Sequence, residues 1–352
     1  MIYQDCKFSE NASISWDGEN PLIINHQLFN NCIFNKNLDF EHTTFDSKIF
    51  NNTSKNVLSI GNLAITHCVI NSEFVLNNYN IENIIIDSSS FDSTVSIKYN
   101  IVKDLTVINT SFYKPADMFQ SKFEKFNITK SEFFDFAGFE KCIYGIKDST
   151  DKEYLSRFTY STFHGLTNFR GTKFYNGIDI KNTNLIESPN FLNAYISYNN
   201  SNRESFRIIK YSFDKIGNHI EANKYYVYEM QKYKEELSWK DQKQKRLLLW
   251  LNEKISDYGQ SYLKPVIFML VASIIYSFVI FGYENNYIYI FSPSVNSIIE
   301  KISNLLNSIS KNIIPFSKIL KNGMEFISLI FYLIFIVFIW QTIVAIKRHT
   351  SR

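Results

Sequence analysis

The chain has 352 residues, enough for one long repeat array or two ordinary domains together with a membrane anchor. Its formal net charge of +3 argues neither for a nucleic-acid partner nor for acidic substrates. The charge is uneven, however, with a net of −5 over residues 1–200 and +8 over the remainder. Phe (32) and Tyr (22) are abundant, Gly (11) and Pro (6) are scarce, and the Asn excess is as consistent with an AT-rich genome as with a structural role. Cys6, Cys32, Cys68 and Cys142 form no C-x-x-C pair and show no metal spacing, so they read as reduced, buried, structural thiols. The first residues lack a basic stretch followed by an apolar one, which predicts no signal peptide and an N-terminal domain retained in the cytoplasm.

Residues 1–200 are organised by a period. Between 63 and 144 apolar residues recur every 21 positions in five registers. Leu63, Ile84, Leu105 and Phe126 form one row, and Ile65, Ile86, Val107 and Ile128 a second. Ile70, Phe91, Phe112 and Phe133 form a third; Leu76, Ile97, Met118 and Phe139 a fourth; Ile81, Val102, Phe123 and Tyr144 a fifth. Within each period the apolar positions lie five or six residues apart, which fits neither a helix nor an ordinary strand. A coil that turns a corner about every five residues, and points one side chain inward per side, has this spacing. The sequence therefore predicts a β-solenoid whose stacked turns bury one another's apolar residues. Flanking pairs offset by 11 residues continue the signal, from Phe29/Phe34 and Phe40/Phe45 to Phe158/Phe163, Phe169/Phe174 and Ile180/Leu185. A small residue such as Cys32, Thr43, Ser89, Thr110, Ser131 or Thr172 sits two positions before the second member.

This pattern resembles the pentapeptide-repeat family over about residues 5–198. The resemblance implies a right-handed quadrilateral β-solenoid with Phe34, Phe45, Phe91, Phe112, Phe133, Phe163, Phe174 and Leu185 as its inward central positions. Six-residue steps make the match degenerate and predict irregular corners.

Residues 201–264 change character and read as a helical stalk, with helices over 204–213 and from 220 to about 257 and a Gly217-Asn218 break between them. Lys243, Lys245 and Arg246, with Lys347 and Arg348 near the end of the chain, are candidates for contact with anionic lipid head groups. Three stretches resemble the junctions of membrane-bound pentapeptide-repeat proteins: 203–210 with 221–230, Ser256-Asp257-Tyr258-Gly259, and 345–352. That resemblance implies a two-helix, ion-channel-like membrane domain.

The stretches 265–283 and 326–347 are long and apolar enough to be transmembrane helices. Their basic flanks predict both termini on the cytoplasmic side of the cell inner membrane, with a basic tail over 348–352. The intervening segment, 284–325, places Val295, Ile298, Ile299, Ile302, Leu305, Leu306, Ile309, Ile313 and Ile314 at helical spacing. It reads as an amphipathic helix in the outer interface or a re-entrant pore helix, and no Thr-Val-Gly-Tyr-Gly-like filter follows it. Ser328, Phe335 and Thr342 share one heptad row of the second span and are the candidate pore-lining residues. Ser273 and Ser277 in the first span predict close helix packing.

The six His are dispersed, and no P-loop or G-x-S-x-G occurs, so no enzyme, cofactor or metal site is expected. The expected partners are the lipid bilayer, further copies of the chain and a cytoplasmic protein trigger, with no nucleic acid. The leading functional reading is a membrane-embedded oligomeric pore, or membrane-disrupting effector, controlled by a cytoplasmic solenoid sensor or scaffold, in a setting such as bacterial stress or phage defence. The alternative is a non-conducting, membrane-tethered protein-binding platform.

Overall fold

The 21-residue rows become the inward stacks of a parallel β-solenoid of about eight turns. The computed structural model of the protein describes residues 2–18, 21–53, 56–240, 242–284, 302, 305–307 and 320–350. It divides into two compact units, Met1–Lys232 and Tyr233–Arg352.

In the first unit the long strands Ile33–Glu41, Leu58–Thr66, Tyr79–Asp87, Ile101–Ile108 and Lys122–Thr129 lie side by side in parallel register. Ile60, Ile81, Val102 and Phe123 align in one stack across successive turns, Leu63, Ile84, Leu105 and Phe126 in another, and every one of them is buried. Between inward Ile81 and inward Ile84, Glu82 and Asn83 both point outward. Two successive outward residues bend the strand, so one strand serves two sides of the coil; this is the origin of the irregular steps. The outward asparagines stack as well, Asn83 donating to Asn62 (2.5 Å) and Asn62 to Asn37 (2.8 Å).

Short strands complete each turn, and the central residues Phe91, Phe112, Phe133 and Phe163 stack ring on ring at 5.0, 4.5 and 4.7 Å. Phe34, Phe45 and Phe174 are equally buried. Leu185 is only partly buried, because its strand ends the eight-stranded sheet and no further turn covers it.

The corners carry backbone strain that the composition conceals. His67, Ser88, Asn109, Lys130, Tyr160 and Asn182 take left-handed φ values between 48° and 57°, and Asn78, Tyr99, Gln120, Lys141 and Asn193 take values between 55° and 63° at a second corner. Such conformations cost a non-glycine residue about 1 kcal/mol or more, least for Asn. Small buried residues that follow satisfy the corner. Ser89 Oγ accepts the Cys68 N–H (3.1 Å) and donates to the Asp87 carbonyl (2.8 Å). Ser131 Oγ does the same for the Thr110 N–H (3.3 Å) and the Thr129 carbonyl (3.0 Å). At the second corner Asn100 and Ser121 take that role.

The period is broken by an excursion. Phe133 pairs with Phe163, 30 residues on, because residues 146–155 leave the coil. They are pinned back by Asn176, whose side chain accepts the Ile146 N–H (2.7 Å) and donates to the Ser149 carbonyl (2.6 Å).

Helix α1 (Arg203–Lys215) closes the far end of the solenoid. Its N-cap Asn202 accepts the Ser205 N–H (2.8 Å), and the Ser201 and Ser205 hydroxyls accept the Ile178 and Ile180 N–H groups (both 3.0 Å). Phe206, Ile209 and Phe213, with Ala222 and Tyr225 of α2 (His219–Glu236), extend the solenoid core and cover its last turn. The region read as a stalk from 201 therefore begins as a cap, which a repeat array needs to shield its terminal apolar face. Buried Glu229 of α2 accepts from Arg207 Nε (3.2 Å) and Lys210 Nζ (2.7 Å), uniting the 203–210 and 221–230 stretches.

Candidate functional site

The second unit contains α3 (Lys243–Ser256), α4 (Leu263–Glu284) and α5 (Glu325–Thr350). α4 and α5 are two helices long and apolar enough to cross a membrane. They pack on each other, and α3 packs on both.

The seam between α4 and α5 joins polar side chains of the two helices. Tyr276 Oη of α4 donates to Ser328 Oγ of α5 (2.9 Å), and Ser328 also accepts the Lys321 N–H (3.3 Å). Around that bond the Tyr276 ring meets Phe331 at 4.7 Å, and Phe268 meets Phe338 at 5.9 Å. Ala345, fully buried, and the buried Pro265 and Gly282 allow close approach. Of the candidate pore-lining row, Ser328 is thus sealed against α4. Phe335 is half-buried beside Tyr332, and Thr342, also half-buried, returns its hydroxyl to the Phe338 carbonyl of its own helix (2.8 Å). Ser273 and Ser277 lie on an exposed face of α4, where Ser277 donates to the Ser273 carbonyl (2.9 Å). The rest of the outward surface is apolar, including Ile267, Leu270, Ile274, Phe278 and Phe281 on α4 and Leu333, Ile336, Val337, Trp340 and Ile343 on α5.

One end of the pair is a clasp built from the two stretches that stood out in the sequence. α3 ends in three successive left-handed residues, Asp257, Tyr258 and Gly259. Ser256 Oγ accepts the Gly259 N–H (3.0 Å) and donates to Gln341 Oε1 of α5 (2.8 Å). Arg348, in the last turn of α5, donates to the Tyr258 carbonyl, and His349 contacts the Gln260 carbonyl (2.6 Å). A Cβ on Gly259 would meet the Arg348 side chain at 3.1 Å, so glycine serves both the φ of +82° and the packing. Asp257 pairs with Lys264 at the start of α4.

The other end is held by the Lys321–Glu284 ion pair and by Asn307, which accepts the Phe326 N–H (3.1 Å) and donates to the Gly323 carbonyl (3.2 Å). Of the expected amphipathic segment, Ile302 and residues 305–307 are helical, and residues 320–325 lead into α5; the rest from 285 on lies outside the described residues.

The candidate head-group residues divide. Lys243, Lys245 and Lys347 are exposed. Arg246 donates to the Leu237 carbonyl (2.6 Å) and lies over the Trp239 ring at 4.8 Å, while Arg348 is committed to the clasp.

On the solenoid, one outward row is aromatic: Tyr113, Phe134 and His164 stack at 4.9 and 4.8 Å, with Tyr113 and Phe134 exposed. Three of the four thiols are inward. Burial pushes Cys32 and Cys68 above the ordinary thiol range and Cys142 up to about 12. Among the described residues no three His, Cys, Asp or Glu side chains are grouped to hold a metal ion. Comparison with protein-family models, with curated proteins and with solved structures finds no match.

Proposed function

We propose that the chain is a membrane-anchored, pentapeptide-repeat-like β-solenoid that serves as a protein-binding platform, with α4 and α5 crossing the bilayer as a hairpin. The observation that carries this reading is the distribution of polarity in the second unit. The Tyr276–Ser328 bond places these hydroxyls between the helices, and the outer surface is a sleeve of Ile, Leu, Val, Phe and Trp. At about 1.5 Å per residue, α4 and α5 are about 33 and 39 Å long, enough to cross a hydrocarbon core of ~30 Å. Lys264, Lys347 and Arg348 at the clasp end favour the cytoplasmic face there, and two spans put both sequence-distal ends on that side. The platform is the solenoid, whose ring-stacked core and capped end hold an exposed aromatic row in fixed geometry; aromatic side chains are common anchors of protein interfaces.

A ring-shaped pore built from several copies is the second reading. It is favoured by Asn307, which stands between α4 and α5 in the chain and bonds the Gly323 carbonyl and the Phe326 N–H at the start of α5. Its difficulty is that Ser328, a polar position of the proposed lumen, is occupied by Tyr276 in a single chain. Purified full-length protein in planar bilayers distinguishes the two. The platform stays electrically silent while remaining with the membrane through alkaline extraction. Reproducible unitary currents transfer the assignment to the pore, and release by alkali removes the anchor from both.

A further inference from the structure

α3 has two different sides. One is covered: Leu249 and Ser256 are buried, and Ser256 reaches Gln341 of α5. The other is apolar and open. Leu247, Leu248 and Leu251 are 49%, 63% and 42% exposed, half-buried Ile255 continues the row at the next four-residue step, and Trp250 borders it at 41%. Exposed Lys243, Lys245 and Lys254 rim this stripe. Clustered leucines on a helix surface call for a cover, because soluble surfaces rarely leave such patches in water.

The position of α3 identifies the cover. Its C-terminus passes through the Asp257–Gly259 turn and residues 260–262 into α4, and the last turn of α5 grips this connection at Tyr258 through Arg348 and at Gln260 through His349. The C-terminal end of α3 is therefore joined to the basic end of the hairpin, through Asp257 to Lys264 and through Tyr258 and Gln260 to Arg348 and His349. A tryptophan and a lysine rim at the end of a spanning pair are what the head-group zone accommodates: rings at the boundary, aliphatic side chains below, ammonium groups among phosphates. A second copy packed symmetrically over the stripe would bring the lysine rims together, and like charges oppose that arrangement.

We infer that α3 is a third membrane element, an interfacial helix that lies in the surface of a bilayer containing anionic lipid, with Leu247, Leu248 and Leu251 in the acyl region and Lys243, Lys245 and Lys254 among the head groups. The inference rests on the membrane reading above and adds a lipid class and a depth to it.

The test is nitroxide accessibility on full-length protein reconstituted into vesicles of phosphatidylcholine with phosphatidylglycerol. In a Cys6→Ser background, which leaves only the buried native thiols, labels are placed separately at Leu248→Cys and at Ile336→Cys in the middle of α5. Both labels are expected to collide several-fold more often with oxygen than with a water-soluble nickel chelate, Leu248 at shallower depth than Ile336. Omitting phosphatidylglycerol is expected to lower the oxygen preference at Leu248 and leave Ile336 unchanged. An aqueous signature at Leu248 with a lipid signature at Ile336 overturns the placement of α3 and leaves the hairpin standing. An aqueous signature at Ile336 overturns the membrane reading and this one with it, and an unchanged Leu248 without phosphatidylglycerol overturns the anionic-lipid assignment.

Discussion

A phenylalanine in this solenoid is held mainly by its own counterparts one turn above and below. Phe112 is 1% exposed, with Phe91 stacked on one face at 5.0 Å and Phe133 on the other at 4.5 Å. Truncation removes both stacks and leaves a cavity that neighbouring rungs cannot close without shifting register. Phe112→Ala is therefore expected to destabilise the solenoid by about 3–5 kcal/mol, whereas the exposed neighbour Lys114→Glu should stay within about 0.5 kcal/mol. Denaturant titration of the full chain in detergent, followed by far-ultraviolet circular dichroism, separates the two, and equal midpoints would place Phe112 outside the core. The thiols supply a second residue-scale check. Thiolate is the reactive form, and burial raises the pKa of Cys32, Cys68 and Cys142, so at neutral pH they are both protonated and shielded. Only the partly exposed Cys6 is expected to react rapidly with an aromatic disulfide reagent, the other three following after denaturation. Two or more fast thiols in native protein would contradict the inward placement.

Among the elements, legibility follows side-chain size. The rows through Phe91, Ile84 and Val107 can be read because large apolar residues recur at one spacing, and parallel register places each on its counterpart. The corners are harder to read, since left-handed φ is carried by residues as unlike as His67, Ser88, Lys130 and Tyr160, and only the small buried residue after each betrays it. The cap passes for stalk in the sequence because α1 looks like any amphipathic helix until Phe206, Ile209 and Phe213 meet the last rung. The clasp is visible as two unusual stretches, but nothing local couples Ser256 with Gln341, 85 residues away. The seam is hidden in the same way: nothing local to Ser328 signals its bond to Tyr276, 52 residues away. Tyr276→Phe and Ser328→Ala are expected to be coupled, with an interaction energy of about 0.6 kcal/mol, the average for hydrogen bonds between helices in a membrane protein. Thermal unfolding of the two single variants and the double variant in lipid micelles gives that coupling directly. Strict additivity would mean the hydroxyls do not meet.

For the whole molecule, the two units divide the work by chemistry. The first has a rung-stacked aromatic core, a capped end and an exposed aromatic row; the second has an apolar sleeve, a hydroxyl pair between its helices and basic residues at the clasp. The composition alone, near neutral in total, conceals this division; residues 1–232 carry a net charge of −3 and residues 233–352 a net of +6. The central claim is that α4 and α5 cross a bilayer once each, with the clasp on the cytoplasmic side. Its most direct test is site-specific labelling of intact expressing cells with a membrane-impermeant maleimide, in the Cys6→Ser background. Three exposed positions are used separately: Asn322→Cys before α5, Lys347→Cys at its basic end, and Glu187→Cys on the solenoid. The expected result is labelling of Asn322→Cys from outside, with Lys347→Cys and Glu187→Cys reacting only after the membrane is permeabilised. Equal labelling of Asn322→Cys and Lys347→Cys in intact cells, or labelling of Glu187→Cys from outside, would contradict the account.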